Sequence, residues 1–219
     1  MSQRDQGWEL HGRQPVLAAG QPLERARAAM VMLHGRGATA QDILALADEL
    51  AHPGFAYLAP QAAGGSWYPF GFMAPIEDNE PYLSSALATV ASLVQQLEQA
   101  GIGAKKTMLL GFSQGACLTL EFVARNARRY GGVAGLSGGL IGPEGTSWNS
   151  KKSLAGTPIL LACSDRDPHI PKERVLESAD VLRRLGADVT ARLYPELGHT
   201  VNQDELLRVR AMMDELGRG

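Results

Sequence analysis

The chain has 219 residues, of which 45% are hydrophobic and 20% charged, with a formal net charge of −2. That is enough for one domain with a substantial core, and a single domain spanning residues 1–219 is the expectation. The near-neutral balance lacks the basic excess of a nucleic-acid binder, and no apolar run approaches the roughly 20 residues of a membrane-spanning helix.

The opening stretch MSQRDQGWELHGRQP is polar and lacks the apolar centre of a secretion signal, so a cytoplasmic setting is expected. Both cysteines, Cys117 and Cys163, lie in apolar surroundings and read as small buried hydrophobes. Two cysteines make no disulfide framework, and no Cys/His spacing suits zinc, so no metal is expected.

In chain order, the apolar runs AAMVMLH (28–34), FAYLAP (55–60), KTMLLG (106–111), GVAGLSG (132–138), TPILLACS (157–164) and DVTARLY (188–194) predict strands. Most are apolar on both faces, as strands covered on two sides must be, whereas DVTARLY alternates and suits a position nearer an edge. Helical spacing marks 42–50, 82–100, 114–129, 172–185 and 203–216. Such alternation predicts an α/β domain, a mostly parallel central sheet with helices on both faces. Chemistry then belongs beyond the C-terminal ends of the strands.

Three such ends carry reactive residue types. GFSQG (111–115) stands between a strand and a helix, the pattern of a nucleophile elbow that would expose Ser113. A side chain at Gly111 or Gly115 would collide with the neighbouring strand and helix. His199, in YPELGHTVNQDEL, follows the last strand and supplies a base of suitable intrinsic pKa. Asn202 nearby is a candidate cap for the helix that follows. CSDRDPHIP (163–171) offers two carboxylates to orient that histidine. Pro168 holds Asp167 in an extended loop and favours it, leaving Asp165 for turn hydrogen bonds. The order serine, aspartate, histidine is the one this fold uses.

The glycine-rich MLHGRGAT (32–39) follows another strand end. An oxyanion needs preorganised N–H donors, and the backbone N–H groups of Arg36 and of Gln114, next to the nucleophile, are the candidates. His34 reads as a buttress of this loop rather than a catalytic group. The segment GGSWYPFGFMAPIEDNEP (64–81) is aromatic and punctuated by Gly and Pro. Its aromatics either cover the core or line an apolar pocket, with Trp67 and Phe72 as the preferred wall residues.

LHGRGAT, GFSQGA, DRDPHIP and LGHTV together resemble the phospholipase/carboxylesterase family of α/β-hydrolases, over nearly the whole chain. The resemblance implies the α/β-hydrolase fold, a triad of Ser113, Asp167 and His199, and oxyanion donors at Arg36 and Gln114. It also implies no metal or organic cofactor, and a small-molecule ester or thioester as substrate. The family includes homodimers. Arg36 stands where acyl-protein thioesterases usually carry leucine, and the aromatic segment is closer to bacterial carboxylesterases. The expected activity is a serine hydrolase cleaving carboxylic esters through an acyl-enzyme. Thioester or lysophospholipid cleavage, carbon–carbon or lactone hydrolysis, and a non-catalytic binding protein on this fold are the alternatives.

Overall fold

A computed structural model describes residues 10–217. Seven strands form one sheet: β1 (Val16–Gly20), β2 (Ala28–Leu33), β3 (Phe55–Pro60), β4 (Thr107–Phe112), β5 (Gly132–Leu136), β6 (Pro158–Ser164) and β7 (Asp188–Tyr194). Their spatial order is β1-β3-β2-β4-β5-β6-β7. Only β1 runs antiparallel, against β3; the other pairs are parallel. The central strand is β4, with Leu33 of β2 opposite Gly111 and Leu136 of β5 opposite Phe112.

Among the described residues, six α-helices accompany the sheet: α1 (Ala40–Leu44), α2 (Leu46–Glu49), α3 (Tyr82–Gln99), α4 (Gln114–Arg125), α5 (Lys172–Arg184) and α6 (Gln203–Gly217). Successive side chains of a strand point to opposite faces, so each inner strand feeds two cores. Ala29, Val31 and Leu33 of β2 pack with residues of α3, α4 and α5. Ala28, Met30 and Met32 pack on the other face, with α1, α2 and α6. This two-sided burial is why the inner strands read as continuous apolar runs.

The six expected strands are present within two residues at either end. Strand β1 escaped the sequence reading because VLAAG is short and, at the edge, alternates between exposed and half-buried positions. The helix expected at 42–50 is two short helices joined at Ala45, and it starts earlier. There Thr39 and Asp42 form a reciprocal capping box. The helix expected to reach residue 129 ends at Arg125. Beyond it the chain turns toward β5, with Tyr130 N–H donating to Thr157 Oγ1 and Gly131 N–H to the carbonyls of Ala104 and Thr107.

The junction between β4 and α4 is the tightest packing in the sheet's centre. A methyl group at Gly111 would overlap the backbone of Gly115 and Ala116, and one at Gly115 would overlap the carbonyls of Leu33 and His34. Backbone on both sides leaves nothing flexible to yield. Gly115→Ala is therefore expected to destabilise by about 3 kcal/mol or more. A urea midpoint close to that of the unaltered protein would contradict this packing account.

Candidate active site

Strand β4 delivers Ser113 into a turn at φ 56° and ψ −120°, a conformation that non-glycine residues rarely hold. The Ser113 N–H is secured by the carbonyl of Leu136, at 2.9 Å, and the turn lifts the side chain off the sheet. Ser113 Oγ lies 2.8 Å from His199 Nε2. His199 Nδ1 lies 2.7 Å from Asp167 Oδ2. A carboxylate can only accept here, so Nδ1 carries the proton and Nε2 is left to accept from the serine.

The Asp167 side chain is fully buried, while His199 keeps 19% of its surface. Oδ1 of Asp167 accepts the N–H groups of His169 and Ile170, at 2.8 and 3.0 Å, and the Cys163 thiol lies 3.7 Å from Oδ2. Burial works to raise the pKa of this carboxyl. The His199 hydrogen bond and the two backbone donors outweigh it, so the group stays ionised below the usual carboxylate range. Asp165 instead accepts from the Glu196 N–H and steadies the turn before His199. Burial and the neighbouring Asp167 charge push the Cys163 thiol up to about 12, and burial does the same to Cys117. Both remain neutral thiols.

The loop bearing His199 is held at both ends. Gly198, at φ 77°, donates to Ser164 Oγ. Asn202 and Glu205 exchange side-chain hydrogen bonds with each other's backbone N–H, at 2.7 and 3.0 Å, and start α6. The rings of Phe112 and His169 flank the imidazole, at centroid distances of 5.0 and 4.8 Å.

Among the described residues, no acceptor takes the backbone N–H of Arg36 or of Gln114. The Gln114 side chain, which the sequence did not flag, spans to the aromatic segment. It accepts from Trp67 N–H at 2.9 Å and donates to the Tyr68 carbonyl at 2.8 Å. Gly37 N–H donates to the Gly65 carbonyl, and the Arg36 guanidinium to the carbonyls of Pro69 and Phe70. His34 Nε2 accepts from Ala62 N–H, so Nδ1 carries the proton and donates to the Gly35 carbonyl at 2.8 Å. His34 is thus a buttress of the loop. His11, which has no counterpart in the sequence reading, does the same from Ala63 N–H to the Trp67 carbonyl. Burial lowers both histidines' pKa values and keeps them neutral.

A cavity of about 380 Å³ opens on Ser113 and His199. Tyr68, Phe72, Cys117 and Ile170 give it apolar walls, with Arg36 and His169 as its charged and polar lining. Trp67 does not line it, which corrects the expectation for that residue. Its side chain is fully buried, and its indole N–H donates to the His34 carbonyl at 2.9 Å. Trp67 packs behind the wall that Tyr68 forms. Among the described residues, no group of three or more His, Cys, Asp or Glu is placed to hold a metal ion. No helix among them is long and apolar enough to cross a membrane.

A mostly parallel sheet with a half-buried serine at a cavity after its central strand, and an acid and a histidine after two later strands, defines the α/β-hydrolase class. The chain belongs to the phospholipase/carboxylesterase family, whose model matches residues 16–216. It is similar to a phospholipase/carboxylesterase from Dyadobacter fermentans of known structure, with 45% identity and a TM-score of 0.88, covering 91% of this chain and 96% of that one. It is 34% identical over 124 residues to acyl-protein thioesterase 1 of Gibberella zeae, 56% of this chain and about half (53%) of that relative. Acyl-protein thioesterase 1 of Debaryomyces hansenii aligns at 24% identity over 92% of this chain and 97% of its own length.

Glu205 lies at the base of the His199 loop with its side chain buried and Oε1 unpartnered. Burial, opposed by the Asn202 N–H and aided by Asp204, raises its pKa from 4.5 to about 7. Between those values the folded protein keeps a proton that the unfolded chain releases, so stability is lost as pH rises through this window. Glu205→Gln cannot ionise. Its stability relative to the unaltered protein is expected to improve by about 3 kcal/mol on going from below to above the window. Parallel stability–pH curves for the two proteins would refute this.

Proposed function

We propose that the chain is a serine hydrolase of carboxylic esters, acting through an acyl-enzyme on Ser113. The observation that carries the reading is the unbroken contact from Ser113 Oγ through His199 to the buried Asp167, at 2.8 and 2.7 Å, on the floor of an apolar cavity. His199 Nε2 takes the hydroxyl proton as Oγ attacks the carbonyl carbon. Asp167 holds the imidazole in the accepting tautomer and stabilises the cation that forms. The backbone N–H groups of Arg36 and Gln114 receive the oxyanion, and the positive end of α4 favours its charge. His199 then protonates the leaving alcohol as the tetrahedral intermediate collapses. Water, deprotonated by the same histidine, attacks the acyl carbon, and Ser113 leaves with the proton returned.

The same groups cleave thioesters, and the thioesterase names of two relatives favour this as the second reading. Lysophospholipid hydrolysis would use the same site. A binding protein that had lost catalysis would have no need of a serine, an imidazole and an ionised acid in register. A cytoplasmic setting fits the two free, buried thiols.

Ser113→Ala should lower kcat/KM on a short p-nitrophenyl ester by at least about 10³-fold while preserving thermal unfolding behaviour. Asp167→Asn should cost a comparable factor, because it frees the imidazole to adopt the wrong tautomer. Turnover by folded Ser113→Ala at the unaltered rate would sink the proposal.

A further inference from the structure

The side chain of Arg36 is exposed yet fixed. Nη1 donates to the Pro69 carbonyl at 2.7 Å and Nη2 to the Phe70 carbonyl at 2.5 Å, and the guanidinium carbon lies 5.9 Å from the centre of the Tyr68 ring. All three partners are neutral. Other arginines of the chain, such as Arg125, Arg128, Arg166 and Arg208, lie against a carboxylate. Among the described residues no carboxylate lies against Arg36, as is also true of Arg27 and Arg129, but of these three only Arg36 borders the cavity. A guanidinium carries five N–H donors, and three remain here after the two carbonyls are served.

This cation sits on the lining of the cavity that contains Ser113, and no Asp or Glu shares that lining. Asp167 is the acid behind His199, but its side chain is fully buried and both oxygens are occupied by donors from its own loop, from Cys163 and from His199. Its charge is directed inward. The N-terminal end of α4 adds a further positive partial charge on the cavity side. The walls formed by Tyr68, Phe72, Cys117 and Ile170 are apolar, and all but Phe72 are nearly fully buried. One part of the cavity therefore suits an uncharged, apolar group, and its mouth suits an anion.

We propose that the Arg36 side chain selects esters carrying a carboxylate on the half that stays at the cavity mouth, with the uncharged half against the apolar walls. This rests on the ester-hydrolase reading above and names its substrate class. The chain orders the guanidinium before substrate arrives, so little rotamer entropy is lost when a carboxylate binds it. Arg36 thus has two separate parts: a backbone N–H aimed at the reacting oxygen and a side chain aimed at a remote charge.

The test compares two esters of the same shape, 4-acetoxybenzoate and 4-acetoxybenzamide, which differ in one charge. The ratio of their kcat/KM values cancels any effect of a substitution on the shared chemistry. That ratio, carboxylate over amide, should fall about tenfold in Arg36→Gln, the worth of a hydrogen bond to a charged group, and recover in part in Arg36→Lys. In the unaltered protein, added salt should lower kcat/KM for the carboxylate ester and leave the amide ester unaffected. An unchanged ratio in Arg36→Gln, or an equal salt response of the two esters, would overturn the assignment of Arg36 and leave the hydrolase reading standing. If Ser113→Ala still turned over the amide ester, the hydrolase reading itself would fall.

Discussion

The turn at Ser113 is the constraint on which the site depends. Holding a residue with a side chain at φ 56° costs about 1–2 kcal/mol, and the strain persists only because the surroundings leave no alternative. Gly111 faces the first turn of α4, and Gly115 faces the carbonyls of Leu33 and His34. The two contacts wedge the helix between β4 and β2. Relaxing the serine to an ordinary conformation would swing α4 out of that wedge and expose a helix in which eleven residues are buried. The same turn raises Oγ toward His199 and leaves the N–H of Gln114, at the helix start, without an acceptor among the described residues. One strained residue therefore positions the proposed nucleophile and one candidate oxyanion donor together.

A second organising element is the segment from residue 61 to residue 70, which contributes no reacting group. His11, His34, Arg36, Gly37 and Gln114 all bond to its backbone. Through it the loop after β2 and the first turn of α4 are tied to one strap, so the two candidate oxyanion donors are fixed relative to each other. The two histidines serve as neutral linkers with opposite ends donating and accepting. Burial keeps them uncharged, and each tautomer is dictated by a backbone N–H that can only donate. The strap also turns Tyr68 toward the cavity and places Trp67 behind it.

Much of this was legible in the residues. GFSQG carried the turn because only glycine fits either side of it, and Pro168 favoured Asp167 by keeping its loop extended. The inner strands announced themselves through two-sided burial. What escaped notice depended on contacts distant in sequence. VLAAG becomes a strand only because β3 offers it an edge to pair with. Trp67, expected as a wall residue, is drawn away from the cavity by the His34 carbonyl, which captures the indole N–H from 33 residues away. The Gln114 side chain looked idle beside the oxyanion role expected of its backbone, since nothing local reveals that it closes on residues 67 and 68. His11 gave no signal either, because its partners lie some fifty residues further along the chain.

The most direct test of the account is covalent capture of the nucleophile. A fluorophosphonate reacts with a serine only when a base removes its proton and an oxyanion site receives the phosphoryl oxygen. Incubation of the folded protein with such a probe, followed by peptide mass mapping, should place one adduct on Ser113. Labelling should disappear in Ser113→Ala and be strongly slowed in His199→Ala. An intact protein that remains unlabelled, or an adduct carried by another residue, would contradict the central claim.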